Sequence, residues 1–133
     1  MSGTDFSGRR IAFVGHWDVT LYRFRLPLMR ALRDAGAEVH TVVPPGEHTS
    51  DWRSEGIHHS AYALERSSLN PVGAAGAVAA IRQRLRLVAP DLVHTYTAKP
   101  NVLGTFAADG AGVPAIVNTV SGLGSFLMAD GSL

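Results

Sequence analysis

The sequence predicts an α/β fold, a Rossmann-like parallel sheet with helices on both faces and strand order 3-2-1-4-5. Three observations lead there. Short apolar runs rich in β-branched residues recur along the chain. Segments with helical periodicity stand between them, and Gly or Pro punctuates most junctions. Alternation of that kind implies right-handed crossovers between parallel strands.

The elements follow in order. "RIAFVG" (10–15) is a buried strand ending in Gly, and "HWDVTLYR" follows as a loop. Phe24, Leu28, Leu32 and Ala35 then share one helical face, with Pro27 early in the helix and Gly36 as the C-terminal stop. "AEVHTVV" (37–43) is a second strand, halted by Pro44-Pro45. A short helix covers Ser50–Glu55, and "IHHSAYAL" (57–64) is a third strand. Asn70-Pro71 reads as an N-cap and first helical residue, opening a helix to about Val88 with Val78, Ile81, Leu85 and Val88 on its buried face. "PDLVHT" (90–95) is a fourth strand, Pro100 to Asp109 a helix, and "PAIVNTV" (114–120) a fifth strand. The last residues, "SGLGSFLMADGSL", show no clear element.

Bulk composition narrows the function classes. The chain has 133 residues, 46% apolar and 17% charged, which suits one domain with a real core. A net charge of +1 gives no electrostatic case for nucleic acid. Eleven arginines against one lysine fit either anion gripping or simple coding bias. The absence of Cys excludes disulfides, thiolate metal sites and thiol nucleophiles, and fits a cytoplasmic location. The polar start "MSGTDFSGRR" is not a secretory signal, and "NPVGAAGAVAAI" is too short to span a bilayer.

In an open parallel sheet, ligands bind beyond the carboxyl ends of the strands where strand order reverses. Here that is between strands one and four. Gly15-His16, His94-Thr95 and Asn118-Thr119 close the three strands that meet there. Lys99 immediately precedes a helix N-terminus, a setting that favours an anion; the other reading is a solvated loop residue. His94 is either a site residue or a buried hydrogen-bonded histidine, and His16 either touches substrate or lies on a surface loop. "SGLGS" (121–125) can turn its N–H groups around an oxyanion but is no dinucleotide fingerprint. His58 and His59 are neighbours in a strand, point to opposite faces and cannot share one metal, so no metal site is expected. Asp18 and Asp91 are unpaired acids, the latter at the end away from the crevice. Arg82 and Arg86 share a helical face that is either solvated or laid on a membrane surface.

"RFRLPLMRALRDAGAEVHTVVP", "SLNP", "PDLVHTYTAKPNVLG" and "GVPAIVNTVSGLG" together resemble the N-terminal domain of family 4 glycosyltransferases of the GT-B fold, over about Arg10 to Phe126. The most similar subgroup builds bacterial polysaccharides and lipid-linked oligosaccharides. The resemblance implies the N-terminal half of a GT-B fold, in which a sugar passes from a nucleotide-diphosphate sugar to a saccharide or lipid-linked acceptor with retention. It implies no cofactor and no obligatory metal. By position, Gly15, His16 and the loop through Thr20 would approach the donor diphosphate. Arg25, at the start of the first helix, with His94, Thr97, Lys99 and Asn101, would line the acceptor side. Asn118, Thr119, Ser121 and Gly122 would lie near the reacting centre. Tyr96 stands where relatives often carry His.

The resemblance divides the chain into a disordered tail (1–9), an incomplete acceptor-side domain (10–126) and a tail or truncation point (127–133). No counterpart of the family's Glu-rich donor motif is present. A C-terminal donor domain or partner chain is therefore the expected partner, and the lone chain is expected to be inactive. Peripheral contact at the inner face of the membrane would suit a lipid-linked acceptor. A non-catalytic sugar- or nucleotide-binding module is the alternative. A nucleotide-dependent oxidoreductase is disfavoured, because no Gly fingerprint follows the first strand and Val43-Pro44 stand where an acid would close the second.

Overall fold

The computed structural model describes residues 6–63, 71–96 and 98–119, with the backbone alone at 71–72 and 98–99. The elements are β1 (Arg10–Val14), α1 (Asp18–Asp34), β2 (Glu38–Val42), α2 (Asp51–Ser54), β3 (His58–Ser60), α3 (Pro71–Val88), β4 (Leu92–Tyr96), α4 (Ala98–Gly110) and β5 (Ala115–Thr119). All five strands are parallel in the order β3-β2-β1-β4-β5, as the sequence predicts.

Side-chain alternation along β1 builds two cores. Ile11 and Phe13 join Leu21, Leu26 and Met29 of α1, with Val39, Trp52 and Tyr96. Ala12 and Val14 join Ile81 and Leu85 of α3 and Leu103, Ala107 and Ala108 of α4. β1 is the central strand and is buried at four of its five positions. Burying one such large apolar side chain contributes about 1.5–3 kcal/mol, which is what holds the strand ends in place.

Three expectations are corrected. First, α1 begins at Asp18, so the first loop is only Gly15–Trp17, and Pro27 lies mid-helix rather than early. Pro27 is exposed; its missing N–H leaves the Arg23 carbonyl without its intrahelical donor. Second, the buried face carries Val19, Leu21, Leu26 and Met29, while Phe24 and Leu28 are 68% and 41% exposed. Two apolar stripes with helical spacing compete in this segment, and only tertiary packing chooses between them. Third, residues 6–9 of the expected tail are ordered. The Phe6 N–H donates to Ala35 O at 3.0 Å, and the ring packs against the α1-side core.

Arg86 lies on an exposed face, as the solvated reading expects, and that face adjoins the end of α4. Arg86 Nη2 donates to Gly110 O at 3.2 Å, where a helix C-terminus favours a cation. The stop after α1 is as expected: Gly36 has φ +102°, and the following Ala37 N–H returns to Leu32 O at 3.0 Å. Asp91 ties down the far end of the sheet. Its Oδ2 accepts the Arg10 N–H at 2.9 Å.

Candidate functional site

The carboxyl ends of β1, β4 and β5 lie side by side. Val14 pairs with Thr95, Thr95 with Asn118 and Tyr96 with Thr119. Two polar networks form there, one on each face of β4.

On the α1 face, His94 is held at both ring nitrogens. Nδ1 meets the Tyr96 hydroxyl at 2.9 Å and Nε2 meets Thr119 Oγ1 at 2.6 Å. Two proton arrangements satisfy this chain, with Tyr96 donating and Nε2–H donating onward, or both reversed. Either way a neutral imidazole is fully engaged. Burial, reinforced by the Arg25 guanidinium, holds His94 below its ordinary value. Burial likewise pushes the Tyr96 phenol up to about 12. Arg25 lies 4.3 Å over the Tyr96 ring and Phe13 stacks beneath it at 6.0 Å. Arg25 sits well inside α1 rather than at its start.

On the α4 face, Thr95 is fully buried and donates to Asn101 Oδ1 at 2.7 Å. Asn101 Nδ2 donates to Thr119 O at 3.0 Å, which fixes the orientation of that amide. The single Thr95 proton is thereby used. Thr105 uses its own proton on Asn101 O at 2.5 Å. Both hydroxyl oxygens also contact the Asn118 amide. The atom set against both hydroxyls is Asn118 Oδ1. Because both threonine protons are already used, we assign the amide the flipped way, with NH2 toward Thr95 and Thr105 and the carbonyl oxygen outward. Asn118 is exposed, so in that assignment its oxygen is turned toward solvent. Gly104 permits this network, because a Cβ there would lie 2.7 Å from Thr95 Cγ2.

The first loop is tightly held. Gly15 donates to Val42 O at 3.1 Å and accepts the Tyr62 hydroxyl at 2.7 Å. A Cβ at Gly15 would press on Leu21 at 3.1 Å. His16 follows at the crest, and Thr20 lies in the first turn of α1. Lys99 is the second residue of α4 rather than its predecessor. Thr97, Ser121, Gly122 and the glycine turn lie outside the described residues, as does the Lys99 side chain.

The sequence reading missed what Asp18 does. It is 1% exposed, and its Oδ2 accepts the His48 N–H at 2.6 Å, anchoring the loop after β2. Tyr22 stacks on the His48 ring at 3.9 Å, and His48 Nδ1 meets Asp51 Oδ2 at 2.8 Å. Thr105 was also missed; its place one helical turn after Asn101 was the available signal.

The family description "Glycosyl transferase 4-like" matches residues 10–132. A curated relative from Campylobacter jejuni is 34% identical over 122 residues, covering 92% of this chain and 32% of its own length. It is an N,N'-diacetylbacillosaminyl-diphospho-undecaprenol alpha-1,3-N-acetylgalactosaminyltransferase. This chain thus spans about a third of that relative. Among solved structures, a glycosyltransferase from Rickettsia africae superposes with TM-score 0.66 at 15% identity, over 83% of this chain and 29% of its own. Acinetobacter baumannii MurG does so with TM-score 0.62 at 17% identity, over 83% and 34%. At such identities the structures establish the fold, a Rossmann-like domain of the kind found in GT-B glycosyltransferases, and the sequence match establishes the family. The chain belongs to the glycosyl transferase 4-like family.

Proposed function

We propose that this chain forms the acceptor-side half of a retaining glycosyltransferase. The observation that carries the reading is the pair of polar networks where β4 and β5 end, in a chain of this family. In the transfer, the bond from the anomeric carbon to the diphosphate oxygen breaks and the nucleoside diphosphate leaves. An acceptor hydroxyl oxygen takes its place on the same face and gives up its proton to the departing diphosphate oxygen. The outward carbonyl of Asn118 accepts from that hydroxyl and orients it. His94 acts through Tyr96 and Thr119 as a positioning residue, since both its nitrogens are taken. The N-terminus of α4, the helix that includes Lys99 in its sequence, favours an anionic group.

The donor is a nucleotide-diphosphate sugar held mainly by a second domain, on the same polypeptide or a partner chain. Without it the chain does not turn over. The acceptor is saccharide in character and lipid-linked, a class that the Campylobacter relative's name supports. Such an acceptor puts the protein at the cytoplasmic face of a membrane. No described helix is long and apolar enough to cross one. Transfer needs no metal.

The test is a transfer assay with the chain supplied with a donor-binding domain, nucleotide-diphosphate sugars and a polyprenyl-diphosphate-linked saccharide, in excess EDTA. Transfer should appear, and Asn118→Ala should lower it about 5–10-fold, the worth of one hydrogen bond. Transfer by the lone chain, or a strict metal requirement, would refute the corresponding part of the reading.

A further inference from the structure

Among the described residues, one cluster lies on β2 and the edge strand β3, away from the ends of β4 and β5. Glu38 and His40 are two residues apart on β2 and so project to the same face. His58, the first residue of β3, is the direct cross-strand partner of His40. The two imidazoles stack with centroids 4.7 Å apart, and His40 Nε2 lies 2.6 Å from Glu38 Oε2. One ligand atom from each of the three residues falls within 4.8 Å of the others. His59 points to the other face, where Nδ1 meets Thr41 Oγ1 at 3.1 Å. The two imidazoles brought together are thus cross-strand neighbours, not adjacent in sequence.

We propose that Glu38, His40 and His58 form a binding site for a divalent transition metal of the zinc type. Two imidazoles and a carboxylate are a donor set suited to zinc, copper or nickel rather than to magnesium or calcium. Four-coordinate zinc with such ligands needs donor atoms about 3.4 Å apart, given bonds of about 2.0–2.2 Å. Modest rotations reach this, because His58 and Glu38 are exposed and unhindered by core packing. Binding replaces the His40–Glu38 hydrogen bond, the His40 ring proton moving from Nε2 to Nδ1 as the tautomer changes.

Arg10 is the competing cation, with Nε 3.2 Å from Glu38 Oε2. That pair is nearly half exposed on both sides, so it contributes little, and Arg10 keeps its bond to Val88 O at 3.3 Å. The metal would bridge β2 to the three-residue edge strand β3 and pin the sheet edge. It takes no part in transfer, which proceeds where β4 and β5 end, on the other side of β1. The inference does not depend on the proposed function.

Calorimetric titration of the EDTA-stripped and desalted chain with zinc chloride tests it, with cobalt absorption as a second readout. Saturable binding of a single equivalent is expected, weakened at least about tenfold in His58→Gln and in Glu38→Gln. His48→Gln, which removes the other His–carboxylate pair, should leave it unchanged. His58 and Glu38 are exposed, and circular dichroism checks that their variants fold. The proposal is overturned by no saturable binding below about 100 μM metal. It is overturned equally by binding that survives both substitutions, or by binding that is lost with His48.

Discussion

β2 runs out into Val42 and Val43, both fully buried. Two strands away, β4 ends in His94, Thr95 and Tyr96, and β5 in Asn118 and Thr119. The strands are parallel members of one sheet, yet one end is sealed by aliphatic packing and the other by hydrogen bonds. A buried polar group costs stability unless every donor and acceptor is matched. The β4–β5 end meets that condition inward while leaving the Asn118 carbonyl turned outward. Stability alone would have been served by more valine. The polar end is where the sheet offers directed chemistry.

The largest break in that comparison comes from the residue that supports the polar end from below. Phe13 is fully buried and contacts both His94 and Tyr96. Phe13→Ala should cost about 3–5 kcal/mol in denaturant unfolding, enough to abolish the fold of a marginal domain. Thr95→Val should cost less, about 1–3 kcal/mol, although the two side chains match in shape. It strands the Asn101 carbonyl and the Asn118 amide. A valine that proved neutral would mean the α4-face network is not what orders that end.

Much of this was legible in the sequence, for identifiable reasons. Strand order followed from element alternation, because short crossovers leave few topologies. The crevice residues followed from strand ends, since polar groups there have no role in a core. The helical face of α1 was not legible, because Phe24 and Leu28 are as well spaced as the residues that are buried. The start of α1 was missed because Trp17-Asp18-Val19 carries no N-cap signature; Trp17 makes no side-chain cap. The cross-strand His40–His58 pair depends on register, which no local pattern encodes. Asn118's orientation emerged only when protons were counted over four side chains from three elements.

A finer effect comes from pH. Burial holds His40, His59 and His94 below the ordinary histidine value of 6.5. As pH falls below that value the unfolded chain takes up protons first. Stability is therefore full above about pH 6.5 and declines between that pH and the lower folded-state values. Glu38 and Glu55 are held below 4.5 by His40 and Arg30 respectively, so their contribution is lost only at more acidic pH. Melting temperature against pH should begin to fall near pH 6.5. In His94→Asn that early fall should be shallower.

The most direct test of the central claim, that the acceptor is received where β4 and β5 end, is an amide chemical-shift map. Labelled chain is titrated with a soluble saccharide-diphosphate acceptor fragment. Shifts concentrated at Thr95, Tyr96, Asn101, Asn118 and Thr119, and lost in Asn118→Ala, are predicted. Shifts confined to the Glu38–His58 cluster, or a pattern untouched by Asn118→Ala, would contradict it.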